Sequence, residues 1–192
     1  MDGTRKKGWF HYLTNFTHMR KSSTRRIHPE YDFKAAGAVF TNGIYLLAAQ
    51  QPNKDPPTIS GIGGKREAGE TPMYTAIRET LEELFEYKDV PKALINIIIG
   101  SVSPKKIIKN GSYVFGIYDF KDLDKILKIV KKYKLKSPLY RQFPDNITDL
   151  IFTRIMKPSA ELCQLTLLPL VHQLNIDKNL LEDIPQIIEA LK

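Results

Sequence analysis

One short segment of this 192-residue chain limits its fold more than any other feature, because closely spaced glycines are followed by clustered glutamates. The glycines are Gly61, Gly63, Gly64 and Gly69. They predict a loop over residues 61–69 whose backbone can approach a ligand closely. Thr71 and Pro72 predict the N-cap and first position of a helix. We expect this helix to run from Pro72 to about Leu84 or one turn beyond.

The predicted helix has two different faces. At about 100° per residue, three glutamates fall within an arc of about 100°, and mainly apolar residues occupy the other side. The glutamates are Glu79, Glu82 and Glu83. The opposite side carries Met73, Ala76, Ile77, Thr80, Leu81 and Leu84. We therefore expect one face to enter the core and the other to gather three carboxylates.

Carboxylates this close together need a positive partner. Like charges three or four residues apart destabilise a helix by about 0.2–0.5 kcal/mol per pair, and the macrodipole disfavours anions in the C-terminal half. A divalent cation would offset them, and such a cluster suits Mg²⁺ or Mn²⁺. Arg78 can also form a bidentate pair with Glu70. The alternative is an acidic, solvated helix face, but the glycine loop, Glu70 and the N-cap favour the cation site.

The segment GGKREAGETPMYTAIRETLEE, residues 63–83, resembles the Nudix box of the Nudix hydrolases, G-x5-E-x7-R-E-U-x-E-E-x-G-U with U apolar. The strand pattern around it extends the resemblance to about residues 33–192. The resemblance implies that Glu70 pairs with Arg78 to brace the loop. The metal ligands that it implies are Glu79, Glu82, Glu83 and the carbonyl of Gly63. The residues expected to contact substrate are Gly63, Gly64 and Lys65.

Three positions depart from the family pattern. Thr80 occupies an apolar position, Phe85 replaces the glycine after the paired glutamates, and Glu86 replaces the closing apolar residue. Without that glycine the helix lacks its expected left-handed stop, so we expect it to continue through Phe85. No carboxylate is missing, and we expect the chemistry to be retained.

The resemblance also implies that the general base, or an extra metal ligand, lies outside the box. Downstream of Glu86 the glutamates are Glu161, Glu182 and Glu189. Glu161 lies in AELCQLTLLPL, which looks like the family segment where an acidic residue precedes a late strand. Glu161 is therefore our candidate, against an ordinary exposed glutamate, with Asp145 and Asp149 in reserve.

Composition and strand patterns predict one α/β domain over residues 1–192, with a mixed β-sheet sandwiched between α-helices and a basic N-terminal extension, residues 1–34. The hydrophobic fraction of 42% suffices for a sizeable core. The predicted strands are 35–40 and 44–49, joined by an Asn42-Gly43 turn, and 58–62, 94–99, 113–120, 150–155 and 165–168. A helix is expected near 180–191.

A single cysteine, Cys163, is expected to be a buried thiol, which fits a reducing compartment, and we expect a cytoplasmic protein. The longest apolar stretch, residues 93–99, is far too short to cross a bilayer.

The net charge of +8 is unevenly distributed. Residues 1–34 hold eight lysines and arginines against three acids, a net +5, and they interleave Trp9, Phe10, Tyr12 and Phe16. Cations with stacking aromatics are typical of single-stranded RNA binding. One alternative is an element whose aromatics pack on the domain. Another is a mitochondrial presequence, because residues 3–29 contain no acid.

A second basic segment, Lys121–Lys136, predicts an amphipathic helix. Its apolar stripe is Leu123, Ile126, Leu127 and Val130. Its lysine ridge is Lys121, Lys125, Lys128 and Lys132. The ridge is either a solvated face or, if it flanks the carboxylates, part of a track for RNA.

The resemblance implies a hydrolase of phosphoanhydride bonds that uses Mg²⁺ or Mn²⁺ on a nucleoside diphosphate linked to another moiety. The basic balance favours the mRNA 5′ cap, cleaved by the decapping branch of the family. The alternatives are small anionic metabolites, namely nucleoside triphosphates, dinucleoside polyphosphates or diphosphoinositol polyphosphates, and a non-catalytic RNA-binding module.

Overall fold

The computed structural model describes residues 32–52, 57–171 and 176–192, all within the unit Tyr31–Lys192. The predictions for residues 1–31 lie outside the described residues. The strands of the described part are β1 (Ala35–Thr41), β2 (Tyr45–Gln51), β3 (Thr58–Ser60), β4 (Ile62–Lys65), β5 (Lys106–Asn110), β6 (Tyr113–Asp119) and β7 (Gln164–Pro169). The helices are α1 (Pro72–Phe85), α2 (Lys92–Ser101), α3 (Phe120–Lys132), α4 (Ile147–Phe152) and α5 (Lys178–Leu191).

The strands form one mixed sheet in the order β3-β2-β1-β6-β5, with β4 also paired to β1 and β7 to β2. β1 runs parallel to β6, from Ala35 opposite Tyr113 onward, and the other pairs are antiparallel. The predicted turn between β1 and β2 is confirmed, because Asn42 Oδ1 accepts hydrogen bonds from the N–H groups of Ile44 and Tyr45 at 3.0 and 2.9 Å. β4 thus lies directly beside the middle of the sheet.

Helices cover both faces of this sheet. In β2, Leu47 and Ala49 pack into a core with residues of α1, α2, α3 and α4, whereas Leu46 and Ala48 pack into a second core with residues of α5. A strand that is apolar on both sides is typical of a sheet buried between two layers. The prediction of a mixed sheet sandwiched between helices is confirmed, as are the amphipathic helix α3, the late strand β7, the C-terminal helix and the buried Cys163.

Two predicted strands are wrong. Residues 94–99 lie in α2, where Leu94, Ile95 and Ile98 are buried while Ile97 is exposed, a helical spacing. Residues 150–155 overlap α4, whose N-cap Asn146 accepts a hydrogen bond from the N–H of Asp149 at 2.9 Å. In both segments tertiary burial of one helical face outweighs the strand preference of the branched residues.

Two further features differ from the prediction. Strand β5 was not predicted, although Asn110 and Gly111, with a φ of +59° at Gly111, form the turn into β6. The predicted glycine loop begins later than expected, because Gly63 and Gly64 belong to β4 and pair with Gly37 and Ala36 of β1. Among the described residues, no helix has the length and apolarity needed to span a bilayer.

Candidate active site

The junction between β4 and α1 brings backbone and carboxylates close together. Gly63 has a φ of +153°, and a Cβ there would lie 2.6 Å from the Tyr113 hydroxyl oxygen and 2.7 Å from the Ala36 carbonyl oxygen. A Cβ on Gly64 would collide with the carboxylate of Glu79, whose Oε1 would be 2.6 Å away. A side chain at Gly63 would therefore clash with β1 and Tyr113, and a side chain at Gly64 would displace the carboxylate of Glu79.

Helix α1 begins as predicted, with Thr71 Oγ1 accepting a hydrogen bond from the N–H of Tyr74 at 3.3 Å. It continues through Phe85, also as predicted. The inference that the left-handed stop is lost is wrong, because Glu86 adopts it, with φ 56° and ψ 40°. The stop lies one residue later than in the family pattern, on a residue type that rarely adopts this conformation.

The C-terminal end of α1 is held by side chains from distant segments. Arg154 is 9% exposed, and its guanidinium donates to the carbonyls of Leu84, Glu83 and Leu162 at 2.6, 3.1 and 2.7 Å. Ser137 Oγ donates to the carbonyl of Phe85 at 2.8 Å. Three of the four carbonyls that a helix end leaves without partners are thereby satisfied. This role of Arg154 could not be predicted from the sequence, since no local pattern links residue 154 to residues 83–85.

Arg78 is the hub of the charged cluster and is only 8% exposed. Its Nε donates to Glu70 Oε1 at 2.7 Å, and its Nη2 donates to Glu70 Oε2 at 3.1 Å and to the Lys65 carbonyl at 2.7 Å. Burial alone would raise the pKa of Glu70, but hydrogen bonds from Arg78, the N–H of Glu67 and the hydroxyl of Thr75 hold it below its usual value. This network ties the loop to the first half of α1.

Arg78 also contacts two of the predicted metal ligands. Its Nη1 donates to Glu79 Oε1 and Glu82 Oε2, both at 2.8 Å. Burial nevertheless raises the pKa of Glu79 and of Glu82, because one shared guanidinium does not offset desolvation together with the neighbouring carboxylates.

Glu83 is the most deeply buried of the carboxylates, with 5% exposure. Its Oε2 accepts a hydrogen bond from the N–H of Gly63 at 2.8 Å. Burial, followed by repulsion from Glu161 and Glu79, raises its pKa well above the ordinary value. Among the described residues this carboxylate has a single backbone donor, and a buried carboxylate with so few donors is an incompletely compensated charge.

Glu161 lies beside this cluster, as its electrostatic interactions with Glu79 and Glu83 show. It lines a cleft of about 400 Å³ together with Glu82 and Glu83. The reserve candidates lie elsewhere: Asp145 pairs with Lys131 at 2.6 Å, and Asp149 accepts from the side-chain amide of Asn146 at 2.9 Å. Of the three acids considered outside the helix, only Glu161 is brought to the cluster.

The chemistry of this donor set fits a hard divalent cation. The available groups are carboxylate oxygens, which Mg²⁺ and Mn²⁺ prefer. Burial, together with the charges of neighbouring carboxylates, raises the pKa of each of Glu79, Glu82 and Glu83, and a cation would offset both effects. In the described ranges no three such side chains already converge in the geometry of a metal cage. Arg78 Nη1 instead lies between Glu79 and Glu82.

Comparison with known proteins bears directly on this segment. Residues 32–97 match the family model of the NUDIX domain. A crystal structure of a NUDIX-family hydrolase from Clostridium perfringens is similar, with 15% sequence identity, a TM-score of 0.36, and coverage of 82% of this chain and 97% of that one. No curated protein matches the sequence. The family-model match covers about a third of the chain and includes β4, the loop and α1, so this segment is similar to a NUDIX domain.

Proposed function

We propose that the chain is a divalent-metal-dependent pyrophosphohydrolase that cleaves a nucleoside diphosphate linked to another moiety. The observation that carries this proposal is the hydrogen bond from the N–H of Gly63 to Glu83, at 2.8 Å. It joins the glycine segment to a buried carboxylate that lies beside Glu79, Glu82 and Glu161. The site therefore combines a close-approach backbone with concentrated negative charge.

In this proposal Glu79, Glu82 and Glu83 hold Mg²⁺ or Mn²⁺, with Glu161 and the carbonyl of Gly63 as further ligands. A bound divalent cation supplies charge neutralisation on phosphoryl oxygens and a more acidic water.

The remaining roles belong to the protein's own groups. Glu161 is exposed in the cleft, and in this proposal it is either a metal ligand or the base that accepts a proton from the attacking water. Arg78 and Glu70 keep α1 in register with the loop. Gly63, Gly64 and Lys65 form the backbone surface against which the substrate phosphates lie.

The metal assignment is tested by Glu82→Gln and Glu83→Gln, each of which keeps the side-chain size and removes one charge. We expect kcat to fall by a factor of about 100 or more in each variant, because removing stabilisation of developing charge costs about 3–4 kcal/mol. Glu189→Gln, at the exposed end of α5, is the charge-matched control and should retain wild-type turnover. Near-wild-type kcat in both cluster variants would overturn the assignment.

For the substrate, we propose the mRNA 5′ cap, on the strength of the basic charge. The net charge is +8, and all four ridge lysines of α3, Lys121, Lys125, Lys128 and Lys132, are exposed. The leading alternative is a small anionic metabolite, a nucleoside triphosphate, dinucleoside polyphosphate or diphosphoinositol polyphosphate, whose dense charge also suits a basic protein.

A metal-dependent hydrolysis screen separates these substrates. Decapping predicts release of methylated guanosine diphosphate from capped RNA, inhibition by uncapped RNA, and affinity that falls steeply with salt. The triple variant Lys121→Gln, Lys128→Gln and Lys132→Gln should weaken inhibition by uncapped RNA and leave turnover of free nucleotides unchanged. The control variant Lys178→Gln, on α5, should change neither the inhibition nor the turnover. Turnover of free nucleotides without RNA inhibition would favour a metabolite enzyme, and binding without turnover under any metal would indicate a binding module.

A further inference from the structure

A second cavity, of about 550 Å³, lies between β4 and α5, the helix on the opposite face of the sheet from α1. Its walls are the Gly61–Lys65 segment, the turn between β5 and β6, and the first half of α5. Gly63 and Gly64 belong to both places, since they line this cavity and contact Glu83 and Glu79 of the carboxylate cluster. A ligand in the cavity would therefore lie next to the reacting phosphates. The volume is in the usual range for small-molecule sites.

Several buried polar atoms of this cavity can accept hydrogen bonds. Asp183 is 8% exposed, and its Oδ1 accepts from the side-chain amide of Asn110 at 2.7 Å. Ser60 is 7% exposed, and its Oγ, like Oε1 of Gln51, is buried without a hydrogen-bond partner among the described residues. Buried polar groups without partners are uncommon in folded proteins. These atoms are arranged to receive donors from a ligand.

The charge of the cavity indicates which end of a nucleotide it receives. Asp183 and Glu182 both line it, and carboxylates repel phosphate groups. The base and ribose, which carry N–H and O–H donors, are complementary to these acceptors. The densely charged phosphates belong on the carboxylate-cluster side of β4, where a cation would neutralise them.

Building on the proposed function, we propose that this cavity binds the base of the substrate nucleotide and that Asp183, held in place by Asn110, selects guanine. Guanine presents two adjacent donors, N1–H and the 2-amino group, that a carboxylate can accept. Hypoxanthine lacks the 2-amino group, and adenine presents an acceptor at N1. A site built to accept a donor rejects analogues that lack it, because its buried acceptor is left unpaired.

The selection is tested by calorimetric titration of the full chain with GDP, IDP, ADP and XDP in EDTA, so that the readout does not depend on turnover. Wild-type protein should bind GDP at least tenfold more tightly than IDP or ADP. Asp183→Asn should weaken GDP binding by about thirtyfold and strengthen XDP binding. In this variant the side-chain amide of Asn110 would donate to the amide oxygen at position 183. The N–H₂ group at position 183 would then face the 2-oxo group of xanthine. Glu189→Gln, on the same helix and outside the cavity, should match wild type.

Equal affinity of wild-type protein for GDP and ADP would overturn this assignment, and so would an Asp183→Asn variant that keeps the preference for GDP over XDP. The wild-type series decides the question even if the variant does not fold. Guanine-selective binding without metal-dependent turnover would overturn the proposed function and leave the base site standing. Turnover with no base preference would overturn the base site and leave the proposed function standing.

Discussion

Replacing Arg154 with methionine should lower the free energy of unfolding by about 3–5 kcal/mol. The guanidinium donates to three backbone carbonyls and to the Tyr140 hydroxyl at 3.1 Å. A buried carbonyl left without a partner costs about 1–3 kcal/mol. Methionine fills much of the space of the arginine stem, and partial hydration of the helix end reduces the sum. The expected loss is a large share of the roughly 5–15 kcal/mol that a domain has.

Urea unfolding of the metal-free protein measures this effect. The matched control is Lys157→Met, which removes a lysine that also contacts the end of α1, at 2.7 Å from the carboxylate of Glu86. That pair is partly exposed, so its loss should cost at most about 1 kcal/mol. Arg154→Lys, which keeps the charge but loses the fork of donors, should fall between the two.

A second readout separates positioning from stability. Nη2 of Arg154 donates to the carbonyls of both Glu83 and Leu162, and Leu162 follows Glu161 in the sequence. The variant should therefore bind Mn²⁺ more weakly than wild type at a temperature where both are folded, whereas Lys157→Met should not. Equal unfolding free energies for Arg154→Met and Lys157→Met would refute the argument that Arg154 caps the helix.

The other predictions concern the carboxylate cluster. Gly64→Ala should reduce kcat by about 100-fold or more, because its Cβ would force Glu79 away from β4 and a small misplacement of a catalytic group can lower the rate by that much. The control is Gly100→Ala on α2, where the added Cβ would meet open space, and this variant should retain activity. Glu83→Gln should raise the melting temperature in EDTA by about 2 °C or more, because the raised pKa of Glu83 makes its ionised form destabilising, while glutamine still accepts from the N–H of Gly63. Wild-type stability in EDTA should accordingly decline as pH rises from the ordinary glutamate pKa through the raised one, and less so in Glu83→Gln. Adding Mg²⁺ should raise the melting temperature of wild type more than that of Glu83→Gln, and an equal rise would contradict the assignment of Glu83 as a ligand.

Local chemistry explains which parts of the fold were predictable. The Asn42-Gly43 turn, the Thr71-Pro72 helix start and the apolar stripe of α3 are each specified within a few residues, and each is present in the structure. The run at residues 94–99 is not specified in this way, since a short apolar segment suits a buried strand and a buried helix equally well. Packing against α1 and α3 decides it, and that information is distributed along the chain.

The same distinction applies to the site. Glu70, Arg78 and the three helix carboxylates lie within fourteen residues, so their spacing on one helix and its preceding loop is readable from the sequence. Arg154 and Asp183 act across 70 and 73 residues of sequence separation. No periodicity or motif connects such positions, and only the folded sheet brings them together.

Arg78 shows how such a repulsive cluster is held together without a cation. Its Nε and Nη2 are held by Glu70 and the Lys65 carbonyl, while only Nη1 contacts Glu79 and Glu82. A cation bound to these two carboxylates, as proposed, would have to displace only the Nη1 contacts, and the brace between loop and helix would remain. The guanidinium therefore lowers the electrostatic cost of the metal-free state without having to leave its place in the fold.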